Sequence, residues 1–219
     1  LKVDIIPRFS MNTSFADIEK KENRKDLIIS ICVFLSGFSC FAQLYYFQPL
    51  LPDLAKDFIL SASESSFAIS FSTLGMVFGL FTTMFVADRI PRKKMIGTGL
   101  LSSSIFSVAA SFSPTFLPLI LLSAAKGFLL SGATSVSMAY IAEEVSSRNK
   151  GKIMGLYIAG NALGGMAGRV ISSWIGALYT WRIASVRLAG IPMAAVSSRI
   201  APTSIIGSNS SAYAGISLM

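Results

Sequence analysis

The sequence has no histidine, two cysteines in 219 residues, and only 14% charged side chains. Without histidine, the commonest metal ligand and the commonest general base near neutral pH are both missing. Cys32 and Cys40 lie inside one apolar stretch, unlike the exposed pairs of a disulfide framework. No HExxH, CxxC or glycine-rich phosphate loop occurs. An enzyme is therefore not expected, and neither a metal nor a cofactor is implied. Soluble domains carry about 25% charged residues, so this chain has too little polar surface to face water all round. What it has instead is 53% hydrophobic residues, arranged in long uncharged runs. The composition implies an all-α membrane protein whose first partner is the lipid bilayer.

The net charge of +8 does not call for nucleic acid, because the basic residues cluster in short loops between apolar runs. A polar segment over 1–26 precedes five predicted spans at about 27–47, 67–86, 95–112, 116–142 and 153–178. Lys20, Lys21, Arg24 and Lys25 come before the first span, and Arg89, Arg92, Lys93 and Lys94 lie between the second and third. Arg148, Lys150 and Lys152 lie between the fourth and fifth, whereas the intervening loops hold only Lys56. The positive-inside rule then makes the amino terminus cytoplasmic.

After Trp181-Arg182 the regularity breaks, because Arg187, Pro192 and Arg199 interrupt the next apolar run. An arginine near a helix centre costs about 2.5–3.5 kcal/mol, while each Leu, Ile or Val returns only about 0.3–0.6. The sixth span is expected to be degenerate and 183–219 to be a non-native tail.

Several residues stand out inside the spans. Gly75 and Gly79, and likewise Gly160, Gly164 and Gly168, recur every four residues and offer smooth faces for close helix packing. Lys126 and Arg169 are intramembrane cations, which either mark a substrate or proton pathway or pair structurally and snorkel. Arg169 is read near the middle of its span. Gln43 and Asn161 are candidate cavity-lining amides, and Glu143-Glu144 are expected to cap and to pair with nearby basic residues.

Three motifs then carry a resemblance. Met84-Phe85-Val86-Ala87-Asp88-Arg89-Ile90-Pro91-Arg92-Lys93 resembles the turn G-x-L-A-D-R-x-G-R-[KR] of the major facilitator superfamily, with Met84 and Pro91 replacing its glycines. Ser123-Ala124-Ala125-Lys126-Gly127 is similar to R-x-x-[QK]-G without its arginine. The run from Met154 to Arg169 is similar to the glycine-rich fifth helix of the proton-coupled efflux permeases. The likeness spans about 43–182. It implies the amino-terminal half of a twelve-helix fold built from inverted three-helix repeats, with substrate bound between halves. It also implies that Asp88, Arg89, Arg92 and Lys93 form a gating motif, and that the partners are a small-molecule substrate and protons. Such a half, with its sixth span lost, is expected to be a truncated or frameshifted product, inactive alone, of a transporter of the bacterial inner membrane. The competing class is a small multi-pass accessory protein without transport activity.

Overall fold

The structure, a computed structural model, describes residues 8–87 and 89–199, with side chains over 23–87, 89–92 and 94–190. The described residues are helical, without strands. Helix α1 is Arg8–Tyr45; a 3-10 turn at Gln48–Leu50 leads into α2, Leu51–Asp57, with Pro49 and Pro52 in the first turns, where a missing N–H costs nothing. The short α3, Ala62–Ser65, opens with a capping box. The Ser61 amide donates to Glu64 Oε2 at 2.8 Å, and the Glu64 amide donates to Ser61 Oγ at 3.2 Å. The long helices follow: α4 Phe67–Val86, α5 Arg92–Ser111, α6 Phe116–Glu144, α7 Lys150–Leu178 and α8 Trp181–Arg199.

Three stretches, Asn23–Asp57, Ala62–Val86 and Phe116–Glu144, have the length and hydropathy to cross a membrane by themselves. Helices α5 and α7 are long enough but are diluted by serine, glycine and terminal basic residues. Their polar atoms are largely absorbed within the bundle. In α5 the hydroxyls of Ser104 and Ser111 donate to carbonyls four residues back, at 2.9 and 3.0 Å, and in α7 that of Ser172 donates to the Arg169 carbonyl at 3.0 Å. A serine satisfied in this way packs as a small residue.

Glycine decides which helices touch most closely. A methyl group added to Gly160 would stand 2.8 Å from the Phe34 carbonyl oxygen, and one on Gly168 would stand 2.6 Å from that of Ala42. Gly164 is closer still to the backbone of Phe38. Helices α1 and α7 therefore run parallel with backbones in contact, a spacing that any side chain would break. Gly75 meets the Ala124 carbonyl, Gly127 meets that of Ser72, and Gly79 meets that of Phe128, so α4 and α6 form a second such pair. Helix α5 packs between α6 and α8.

The bundle has two ends. One, here the turn end, holds the segment joining α4 to α5 and the segment joining α6 to α7; Ile29, Val33, Ile141, Val145, Ile153 and Tyr157 pack beneath it. The opposite end is built on Tyr46, Phe47, Leu50, Leu54, Leu119 and Trp181. A middle cluster includes Cys40, Ile96, Leu100 and Leu130.

The stretch expected to be a degenerate sixth span and tail over 183–219 is helical through Arg199: α8 continues the bundle but is not among the stretches apolar enough to cross a membrane alone, and residues 200–219 lie outside the described residues. The residue-by-residue insertion tally treats a helix alone in lipid, whereas α8 has neighbours. Trp181, Ala184, Ser185, Leu188 and Ala189 form one buried stripe, Arg187 stands exposed off it, and Arg182 donates to the carbonyls of Ser111 and Ser113 at 2.7 and 3.1 Å. Small residues with low lipid-transfer value still bury well against helices α5, α7 and α1.

Candidate functional site

Polar contacts converge on the turn end. Helix α5 starts with Arg92-Lys93-Lys94, three cations at the positive end of the helix dipole, where they are disfavoured. Glu143, at the end of α6, supplies the opposite charge: Arg92 grips it with two parallel hydrogen bonds, Nε to Oε2 at 2.5 Å and Nη2 to Oε1. Lys25 pairs with Glu144 at 2.8 Å. Between them Asp26, only 4% exposed, accepts from Ser146 Oγ and Asn149 Nδ2, each at 2.8 Å. All three contacts tie the first three long helices, α1, α4 and α5, to the next three. Pro91, in place of the turn glycine, sits at φ −55°, which proline adopts without strain, and serves as the N-cap of α5. Of the predicted gating residues, Arg92 is engaged and Arg89 is exposed; Asp88 lies outside the described residues, and only the backbone of Lys93 is described.

Lys126 lies at the other extreme of burial. It is 1% exposed, its Nζ has no hydrogen-bond partner among the described residues, and it stands over the rings of Tyr46 and Phe47, 4.6 and 4.7 Å from their centroids. A lone buried ammonium costs several kcal/mol in effective desolvation, and a desolvated cation–π contact returns about 2 kcal/mol. The rings therefore offset much of the charge's burial but leave it without a counter-charge.

Arg169 is not at the middle of its span, as its place in the sequence suggests. Its guanidinium lies 4.5 Å over the Tyr45 ring and Nε donates to Gln48 Oε1 at 2.5 Å, which sets it level with the end of α1, on an exposed surface. Depth is fixed by the neighbouring helix, and α7 is long enough to overhang. Gln43 is buried and has both ends of its amide occupied: Nε2 donates to Ser104 Oγ at 3.0 Å and Oε1 accepts from Ser103 Oγ at 2.9 Å. It joins α1 to α5. Asn161 is half-buried beside Tyr157, its Oδ1 completes no hydrogen bond among the described residues, and it lies against Gly37 of α1.

Sequence reasoning missed Asp26, whose carboxylate is hidden in a run of charges that reads as a topogenic segment. It also missed Tyr46 and Phe47, which stack 4.2 Å apart as the floor under Lys126. At the opposite end it missed Asp57, which accepts from Trp181 Nε1 at 2.6 Å.

With this arrangement in place, comparison with known families is decisive: the family model of the Major Facilitator Superfamily matches residues 30–215. The chain belongs to the major facilitator superfamily. The match runs well past Trp181-Arg182, where the motif likeness ends, and takes in the whole of α8. Among similar proteins, a transporter of Buchnera aphidicola subsp. Schizaphis graminum is 38% identical over 169 residues, 77% of this chain and 41% of the relative. The inner membrane transport protein YnfM of Escherichia coli is 37% identical over 156 residues, 71% of this chain and 37% of that one. The MFS-type transporter YybF of Bacillus subtilis is 33% identical over 156 residues, covering 71% and 39%. The chain thus spans about two fifths of the length of the curated relatives it matches.

Proposed function

We propose that this chain is the amino-terminal half of a secondary transporter that exports a small molecule in exchange for protons by alternating access. It sits in a bacterial inner membrane with the turn end in the cytoplasm. The observation that carries the reading is the family turn in its engaged state: Arg92, from the four-charge motif, locks bidentately onto Glu143 across the boundary between the two three-helix groups. In this reading Asp88, Arg89, Arg92 and Lys93 form the cytoplasmic gate, and the parallel glycine-faced pairs α1/α7 and α4/α6 carry the motion. The concentration of Lys25, Arg89, Arg92, Lys94, Arg148, Lys150 and Lys152 at the turn end supports a cytoplasmic placement. Alternating access needs two bodies around a shared substrate, so the half by itself does not transport.

The test is proton flux in everted membrane vesicles energised by respiration, read by a pH-sensitive dye while candidate solutes are added. A chain carrying a second six-helix half from a relative should dissipate the gradient when its solute is added, and Arg92→Gln should slow this. The present chain alone should leave the gradient intact. Solute-coupled proton movement by the present chain alone would overturn the half-transporter reading.

A further inference from the structure

Among the described side chains of the turn end, the acids are Asp26, Glu143 and Glu144, and each is already engaged. Glu143 holds Arg92 and Glu144 holds Lys25, while Asp26 accepts from two neutral donors, Ser146 and Asn149. Five cations remain. Arg24, Lys94, Arg148, Lys150 and Lys152 have no ion pair among the described residues, and all but the half-buried Lys150 are exposed.

The contacts of their chain neighbours bring these five to one side of the bundle. Arg148, Lys150 and Lys152 lie at the start of α7 around Asn149, which is bound to Asp26 of α1. Arg24 precedes Lys25, which is paired with the end of α6. Lys94 is two residues past Arg92, which is paired with the end of α6 as well. The cations thus border the α6–α7 connection as an open surface, without meeting at a point. Neither α5 nor α7 has an acid in its first turn, so the positive ends of two helix dipoles add to the same field.

What this surface meets is set by what stands beside it. One turn beyond Lys152, on the same face of α7, Leu156 is 39% exposed; three residues beyond Arg24, Leu27 of α1 is 60% exposed. In a membrane protein, exposed apolar side chains border acyl chains, so cations one turn away stand at headgroup height. A soluble anion makes no use of that apolar margin, whereas a phospholipid brings phosphate and acyl chain together. The positive-inside rule accounts for cations at this end but not for the fold leaving them unpaired. We propose that Arg24, Lys94, Arg148, Lys150 and Lys152 form a docking surface for the headgroups of anionic phospholipids in the adjoining leaflet. The inference rests on membership of a membrane family and not on the direction or coupling of transport.

The experiment is thermal unfolding of the purified chain in detergent at low salt, with phosphatidylglycerol added at rising mole fraction. Phosphatidylcholine at the same mole fractions and soluble glycerophosphate at the same concentrations are the comparison arms. The wild type should show a saturable rise in Tm with phosphatidylglycerol that exceeds both other arms and shrinks as salt is added. Arg148→Gln and Lys152→Gln should each raise the half-saturating mole fraction about fivefold, the effect of removing one cation from an anionic membrane surface. Lys56→Gln removes the same charge at the opposite end and should leave that value unchanged. No rise with phosphatidylglycerol, or an equal rise with phosphatidylcholine, would overturn the surface. An equal rise with glycerophosphate would overturn it too, by making the ligand a soluble anion. So would an unchanged value in both turn-end variants, or a shift in Lys56→Gln as large as theirs. Should either turn-end variant not fold, Lys94→Gln takes its place under the same criterion. A failed proton-flux assay leaves this result untouched, because lipid binding uses neither solute nor proton.

Discussion

The two ends of the bundle do the same job by different physics. At the turn end, outside the Ile29–Val33–Ile141–Val145–Ile153–Tyr157 cluster, the two three-helix groups are joined by side chains of opposite charge, and the Arg92–Glu143 and Lys25–Glu144 pairs are partly exposed. At the opposite end they are joined by rings and backbone carbonyls: Trp181 packs in the core and donates to Asp57, and Arg182 stacks 4.5 Å over Trp181 while donating to the end of α5. Exposed ion pairs are weak and screened by salt, whereas buried aromatic contacts are strong and are not. The lesson is an asymmetry of strength. The bundle is anchored at the opposite end and latched at the turn end.

The sharpest way to break this comparison is to remove the anchor. Trp181→Ala should cost about 3–5 kcal/mol, seen as a large fall in Tm in detergent, with little dependence on salt. Asp26→Ala comes next, because it deletes a buried polar link of the turn end and strands Ser146 and Asn149. It should cost about 1–3 kcal/mol, with faster hydrogen exchange confined to residues 23–30 and 145–153. Arg92→Gln should cost about 1 kcal/mol or less, and the difference from wild type should vanish as salt rises to molar concentration; a difference that persists would mean the pair is no mere latch. The smallest effect belongs to Glu64. Its carboxyl is held below the usual range by the Ser61 backbone and side-chain hydrogen bonds. A lowered folded-state pKa contributes stability above the unfolded pKa, and that contribution is lost as pH falls through the folded value. The Tm of the wild type should therefore drop on acidification from near pH 5 by slightly more than that of Glu64→Gln.

The fold class, the family and the glycine faces were legible in the sequence, because apolar length, charge placement and a spacing of four are all local patterns. Gly160, Gly164 and Gly168 advertise a packing stripe whatever they pack against. Lys126 and Arg169 show where local reading stops. Both are cations in apolar runs, yet one is entombed over Tyr46 and Phe47 and the other is exposed over Tyr45. Their difference is set by which helix lies alongside and how far it extends, which no single span records. Gln43 is a similar case: a lone amide reads as a cavity liner until Ser103 and Ser104, on another helix, occupy it. Helix α8 was discounted because its apolar content is low, but small residues beside Trp181 suit a surface that faces protein.

The α1/α7 contact has one further consequence. Its glycines meet the backbone at Phe34, Phe38 and Ala42, so donor and acceptor surfaces share a step of four residues. Displacing α7 along α1 by one such step, about 6 Å at 1.5 Å per residue, brings Gly160 to Phe38 and Gly164 to Ala42. Two of the three close approaches are then restored, while a half step drives side chains into backbone. The seam is a ratchet with evenly spaced stops, and it favours discrete positions over a continuous glide.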